Sequence, residues 1–203
     1  MKLLIITCSN REKKVSYIIA MKIFFQMRHM DKNIKVNILE LASKKLRGCC
    51  GDSLCTENSA KCVYGDADDF NSIVQEMEES DCVLFIIPKY APYPSKFIQF
   101  YERLVSIGWG GYVNQNRKEQ FSLYQKPVGV VYFSHYESVS FSTIAPILES
   151  FHTIGFSLLS FKNSEQCLIY NLEKDVEAEI LGEIKEAVYE KLKLSETKRI
   201  TES

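Results

Sequence analysis

Ser9, Arg11 and Ser16 stand in a short loop, Cys8-Ser-Asn-Arg-Glu-Lys-Lys-Val-Ser16, between an apolar run and a long amphipathic pattern. A loop of this kind offers backbone N–H groups, hydroxyls, a guanidinium and the partial positive charge of a helix start. Together these cradle an anion and point to a phosphorylated ligand. The same residues also read as a plain capped helix start, with Ser9 or Asn10 as the cap and Lys13 and Lys14 solvated. A second reactive set is Cys49, Cys50, Cys55 and Cys62, four thiols spaced C-C-x4-C-x6-C. Such a set could bind zinc or a 4Fe–4S cluster, or remain as free or paired thiols. No acid–base triad is evident. His29 reads as a surface residue, His152 as a partly buried structural one, and His135 lies at a strand end.

Hydrophobic periodicity outlines the scaffold that positions these groups. Residues 3–7 read as a strand buried on both faces, followed by Val15, Ile19, Ile23, Met27 and Met30 at helical spacing. Residues 35–41 alternate as a strand, and 66–80 place Phe70, Ile73, Val74 and Met77 on one helical face. Residues 82–87 form a continuous apolar run ended by Pro88, the pattern of a central parallel strand. A helix over 95–107 with Phe97, Phe100, Tyr101 and Leu104 inward, a strand over 127–133 and a helix over 138–153 follow. Gly155 ends that helix, 156–161 reads as a strand, and the last helix spans 173–194 on Val176, Ile180, Ile184, Val188 and Leu192.

Five strands alternating with helices predict a parallel sheet covered on both faces. The chain reads as one domain over 1–194 with a polar, frayed tail over 195–203. Segments 42–65 and 108–125 fit neither period and are long enough to be functional or mobile. Ligands of such sheets bind beyond the carboxyl ends of the strands, which singles out loops 9–16, 88–95 and 134–138.

The chain has 203 residues, with 25 basic against 26 acidic, so nothing suggests a nucleic-acid footprint. No apolar run approaches the roughly 18–20 residues that span a bilayer. The first run stops after about five residues, short of the roughly 7–15 of a signal-peptide core. The expectation is a cytoplasmic protein with no membrane partner, in which Cys8, Cys82 and Cys167 are buried thiols.

The three loops, in this order, resemble those of the flavodoxin-like NAD(P)H-dependent FMN reductases and their iron–sulfur flavoprotein relatives. The first family motif is a strand, Gly-Ser-Pro-Arg and a hydroxyl-bearing helix start. Ser9, Arg11 and Ser16 match it in type, with Cys8 and Asn10 where the family favours Gly and Pro. The second, Pro-Val-Tyr and a helix like Ser-Gly-Gln-Leu-Lys-Ala-Phe-Ile-Asp-Arg, is matched by Pro88-Lys89-Tyr90 and Pro94-Ser-Lys-Phe-Ile-Gln-Phe-Tyr-Glu-Arg103. The third, Lys-Pro-Val-Ala-Leu-Val, is matched by Lys126-Pro-Val-Gly-Val-Val131, and the resemblance covers residues 1–165.

The resemblance implies an α/β, flavodoxin-like three-layer sandwich whose five-stranded parallel sheet has the order 2-1-3-4-5. It implies an FMN-binding oxidoreductase with NAD(P)H as co-substrate, either a flavin or quinone-type reductase or a flavin electron carrier. The FMN phosphate would sit on Ser9, Arg11, Val15 and Ser16. Its ring would lie against Pro88, Lys89, Tyr90, Ala91 and Tyr93, flanked by Ser134, His135 and Tyr136. The flavin carries the redox chemistry, so no catalytic side chain is required. Lys89 replaces an apolar residue common in the family.

The resemblance also implies a homodimer and a small-molecule electron acceptor or redox protein as partner; Trp109, Tyr112 and Tyr124 read either as interface or ring-covering aromatics or as part of a surface-packed loop. Iron–sulfur members carry C-x2-C-x2-C-x4–7-C where this chain has 49–62. Aligning Cys49, Cys55 and Cys62 puts Asp52 at the second cysteine. Two rival readings stay open: a non-catalytic flavodoxin-like binding protein that has lost flavin, and a 4Fe–4S electron-transfer flavoprotein.

Overall fold

The computed structural model describes residues 1–57, 61–91, 93–113, 121–134, 140–162, 167–171 and 177–201. Its strands are β1 (Lys2–Thr7), β2 (Lys35–Glu40), β3 (Cys82–Pro88), β4 (Pro127–Ser134), β5 (Ser157–Leu158) and β6 (Leu168–Asn171). Its α-helices are α1 (Val15–Met30), α2 (Leu54–Glu57), α3 (Phe70–Glu79), α4 (Ser95–Val113), α5 (Phe141–Thr153) and α6 (Glu177–Thr201). The strands pair in parallel in the order β2-β1-β3-β4-β5, and β6 also pairs with β4. The order turns at β1 and β3, the switch point at which such sheets bind ligands.

Alternation along the central strands sorts side chains to two cores. Leu4, Ile6, Val83, Phe85 and Ile87 join Phe70, Ile73 and Met77 of α3, Phe97, Phe100 and Leu104 of α4, and Phe151 of α5. Leu3, Ile5, Leu84 and Ile86 join Ile19, Ile23 and Met27 of α1 and Ile184, Val188 and Leu192 of α6. Each such side chain, when buried, contributes about 1.5–3 kcal/mol of transfer free energy. Phe85 sits at the centre of the first core, with ring centroids 6.5, 6.4 and 5.3 Å from Phe97, Phe100 and Phe151. The stripe Phe97-Phe100-Tyr101 is therefore core, with Tyr101 half-buried.

Several boundaries differ from those read in the sequence. The helix expected over 66–80 starts only at Phe70. The Asp68 and Asp69 carboxylates accept the backbone N–H groups of Arg47 (2.9 Å) and Lys45 (2.6 Å), which draws the preceding residues into the loop. The segment from Gly108 to Val113, expected as loop, continues α4. A Cβ on Gly108 would lie 2.6 Å from that of Ile154, so glycine permits a close approach of α4 to the end of α5. Gly155 ends α5 as expected, at a φ of +96°.

The strand read over 156–161 is reduced to β5 and a single bridge residue, Phe161, with Leu159 N–H donating to the Val128 carbonyl (2.8 Å) between them. The upper half of β4 pairs instead with β6, four residues too short to give a periodic signal. The last helix runs to Thr201, through the segment expected as a tail. Met30 is exposed, so the buried stripe of α1 ends at Met27. Lys126 of the third motif caps α3, its ammonium donating to the carbonyls of Glu78 (3.0 Å) and Ser80 (2.6 Å). Among the described residues no helix is long and apolar enough to cross a membrane.

Candidate functional site

The ends of β1, β3 and β4 lie side by side, Thr7 opposite Ile86 and Pro88 opposite Phe133. The ladders extend one residue further, from Cys8 N–H to the Ile86 carbonyl (2.9 Å) and from Lys89 N–H to the Phe133 carbonyl (2.8 Å). The three loops therefore leave the sheet from a fixed backbone. The first two loops and the end of β4 enclose a cavity of about 60 Å³ lined by Ser9, Arg11, Lys14, Val15, Ser16, Pro88, Lys89, Tyr90, Phe133 and Ser134. That space suits a small anion and is far below the roughly 300 Å³ at which ordinary ligand pockets begin.

The floor of this cavity is the start of α1. Lys14 is its N-cap and makes no side-chain cap hydrogen bond. Neither cap candidate takes that role. The Ser9 hydroxyl accepts from Arg11 N–H (3.1 Å). Asn10 turns to α4, where its Oδ1 accepts from Lys96 N–H (3.0 Å) and the Ser95 hydroxyl (3.2 Å). Asn10 thus caps α4 from a distant loop, while the first N–H groups of α1 keep their positive end without a side-chain cap. Asn10→Ala is expected to cost about 1 kcal/mol, the value of a lost cap, in urea denaturation. An unchanged midpoint would mean that the α4 end is capped by other means.

Ser9 and Ser16 are buried, and Arg11 is exposed at the rim. Lys13 holds a φ of +50°, a strained value for a side chain other than glycine. Its N–H donates to the Glu40 carboxylate (2.8 Å) at the end of β2, which braces the turn. Cys8, in the family's glycine position, points down into the core, its thiol 3.6 Å from the Ile6 carbonyl. Burial pushes that thiol well above its ordinary pKa. Its side chain is therefore directed away from the cradle.

The Tyr90 hydroxyl meets two of the cradle's side chains. It lies 3.4 Å from the Ser9 hydroxyl and accepts from the Arg11 guanidinium at 3.3 Å. Burial alone would raise the phenol's pKa, but the hydrogen bonds to Ser9 and Arg11 and the guanidinium charge outweigh it, and the net shift is downward. Ser9 and Arg11 therefore meet on one oxygen, as they would on a phosphate. The residues present fit the phosphate end of a flavin nucleotide, provided Tyr90 gives way.

Eight of the residues anticipated as flavin contacts line this cavity: Ser9, Arg11, Val15, Ser16, Pro88, Lys89, Tyr90 and Ser134. Ala91 is exposed at a φ of +31° and stands outside it. Tyr93 departs from the expectation. Its hydroxyl donates to the Thr143 carbonyl of α5, and its ring packs 6.2 Å from both Phe97 and Tyr132. His135 and Tyr136 lie outside the described residues. Lys14 and Phe133 complete the wall, and Glu40 and Asn10 support it. Asn10 carried no local signal for its role, because its partner Lys96 is 86 residues away.

None of the seven cysteines, all described, is joined in a disulfide. Cys8, Cys82 and Cys167 are buried, as expected, while Cys49 and Cys50 are exposed and Cys55 and Cys62 half-buried. Among the described residues no group of three or more His, Cys, Asp or Glu side chains is placed to hold a metal ion. Cys50 donates to the Asp52 carboxylate (3.3 Å) and Cys62 accepts from Arg103 (3.2 Å). This arrangement does not fit a four-thiolate cluster. His29 is exposed, as expected. His152 is exposed rather than partly buried, because it lies on the outward side of the last turn of α5. It lines a cavity of about 660 Å³ beside Pro127, at the opposite end of β4 from the anion cradle.

Three solved structures, each more than 10% but under 25% identical, share this fold. An NADH:FMN oxidoreductase in its apo form is 12% identical at a TM-score of 0.57, over 94% of this chain and 87% of its own. An azoreductase from Bacillus anthracis is 14% identical at a TM-score of 0.57, over 96% and 98%. Flavodoxin 1 from Bacillus cereus, oxidised, is 13% identical at a TM-score of 0.54, over 95% and 98%. Such similarity establishes the flavodoxin-like fold alone. No curated protein matches the sequence. The model of the family described as NADPH-dependent FMN reductase matches residues 1–151, the part of the chain that contains all three loops. The chain belongs to that family of FMN-binding oxidoreductases.

Proposed function

We propose that the cradle of Ser9, Arg11, Val15 and Ser16 holds the FMN phosphate, and that Pro88, Lys89, Tyr90, Ala91, Ser134, His135 and Tyr136 surround the ring end. The observation that carries this reading is the start of α1, without a side-chain cap and beside the buried Ser9 and Ser16, with the Ser9 hydroxyl and the Arg11 guanidinium already meeting at the Tyr90 oxygen. When bound, FMN supplies the redox chemistry, accepting hydride from NADH or NADPH and passing electrons to a small-molecule acceptor or a redox protein. Arg11 and the hydroxyls bind and orient through charge-assisted hydrogen bonds. Tyr93 supports the second loop from the aromatic core.

A single domain over 1–194, a cytoplasmic location and a homodimer belong to the same reading. Trp109 and Tyr124, 45% and 38% exposed, are its candidate dimer contacts. The side chain of Tyr112, the third anticipated contact, lies outside the described residues.

Titration of the purified protein with FMN, followed by gel filtration, tests the proposal. Retained flavin absorbance and oxidation of NADH or NADPH are expected. A colourless protein after FMN addition would instead support the binding protein that has lost flavin. Lys89 lines the cavity, and its positive charge favours the more negatively charged state of whatever lies beside it. The flavin midpoint potential is therefore expected to fall in Lys89→Ala, and an unchanged potential would place the ammonium too far away to act.

A further inference from the structure

The irregular segment after β2 packs against α4 and encloses a cavity of about 400 Å³, bounded by Cys49, Cys50, Cys55 and Cys62 with Arg103 and Trp109 among its walls. It shares no lining residue with the anion cradle. Arg103 and Ser106, three residues apart on α4, hold three of these thiols, the exposed Cys49 only through the Ser106 hydroxyl (3.5 Å). The Arg103 Nη2 donates to Cys62 Sγ (3.2 Å), and Cys55 Sγ donates to the Ser106 carbonyl (3.6 Å). Three residues of helix rise about 4.5 Å, so the two residues that anchor Cys55 and Cys62 stand about one turn apart on one wall of the cavity. Arg103 is itself held by Asp68 (2.6 Å) and stacked 4.1 Å above Phe70, which aims its remaining N–H groups. Cys50 is placed differently, donating to the Asp52 carboxylate rather than to α4; that contact pushes its pKa up, as burial does for Cys55.

We propose that Cys62 and Cys55 form a dithiol site that reacts with low-molecular-weight organic disulfides admitted to this cavity. A volume of about 400 Å³ lies within the range of small-molecule pockets, and Val63, Tyr64 and Trp109 give it an apolar rim. Sulfur attacks as the thiolate. The Cys62 thiolate attacks one sulfur of RS–SR, forming Cys62–S–SR and releasing RS⁻, which takes a proton from solvent. Cys55 gives its proton to solvent and attacks the Cys62 sulfur, closing a Cys55–Cys62 disulfide and releasing the second thiol. Two protein thiols are oxidised by two electrons, and one small disulfide is reduced to two thiols. The exchange requires no flavin, so its test is independent of FMN binding.

The reduced full-length protein, exposed to bis(2-hydroxyethyl) disulfide, is followed by intact mass and peptide mapping. The wild type is expected to lose two hydrogens and show a Cys55–Cys62 link. Cys55→Ser is expected to stop at a mixed disulfide on Cys62, and Cys50→Ser to behave as wild type. Arg103→Gln, where it folds, is expected to slow the first step by roughly tenfold, the smaller effect of losing a hydrogen bond to a charged group. A wild-type link that omits Cys55 or Cys62, or Cys62→Ser reacting as fast as wild type, overturns the proposal.

Discussion

Asp68→Ala lowers stability by about 3 kcal/mol in urea denaturation at neutral pH, near the lower end of the cost of stranding one partner of a buried ion pair. The lower end applies because the pair borders a cavity. Its two side chains are only 4% and 3% exposed and stand 2.6 Å apart. Asp68 also accepts the N–H groups of Arg47 (2.9 Å) and Phe70 (3.0 Å), so one carboxylate ties the loop after β2 to the starts of α3 and the middle of α4. Removing it leaves the Arg103 charge beneath the fold without a counter-ion, and replacing both residues by apolar ones should recover part of the loss.

The pH dependence follows from the same contacts. Burial by itself would raise the Asp68 pKa. The hydrogen bonds from Arg103, Phe70 and Arg47 and the guanidinium charge more than offset it, and hold the carboxyl below its ordinary value. The contribution is complete above the unfolded carboxyl pKa of about 4 and is lost as pH falls through the lower folded value. The wild type should therefore lose stability over that acid window more steeply than Asp68→Ala. A neutral-pH loss under about 1 kcal/mol, typical of an exposed bridge, would show the pair to be screened.

Arg11→Ala is expected to weaken FMN binding roughly ten- to a hundredfold, the range for losing a hydrogen bond to a charged group. Tyr90→Phe is expected to strengthen it by roughly two- to tenfold, because the phosphate no longer displaces a hydroxyl already bonded to its donors. The opposite signs make this pair informative. Both Arg11 and Ser9 now spend donor or acceptor capacity on the Tyr90 oxygen. Fluorescence titration with FMN measures the two variants. An Arg11→Ala protein with wild-type affinity would remove the guanidinium from the site. Weaker binding by Tyr90→Phe would make the hydroxyl itself a hydrogen-bond partner of the flavin rather than a stand-in for the phosphate.

Periodicity carried the architecture well where elements were long and buried. The continuous run ending at Pro88 and the four-residue spacing of Ile180, Ile184, Val188 and Leu192 both became buried faces. It failed where the deciding partner was remote. Residues 66–69 have a helical pattern, yet the Asp68 and Asp69 carboxylates bind backbone across the loop. Leu168–Asn171 became a strand only because the edge beyond Leu158 was open to it.

Ser9, Arg11 and Ser16 could be read as an anion cradle from the sequence because their chemistry is local: a strand, a hydroxyl- and cation-bearing turn and a helix start. Their convergence with Pro88, Lys89, Tyr90 and Ser134 was legible from motif order, since parallel strands place successive carboxyl ends together. What only the tertiary structure decided was which groups satisfy one another. Asn10 caps α4 instead of α1, Tyr90 accepts from Arg11, and Arg103 meets Asp68 and Cys62. Each of those contacts joins residues 35 or more apart in the chain. Hydrogen bonding across such separations is set by packing and by the geometry of the sheet, which no local spacing of residues encodes.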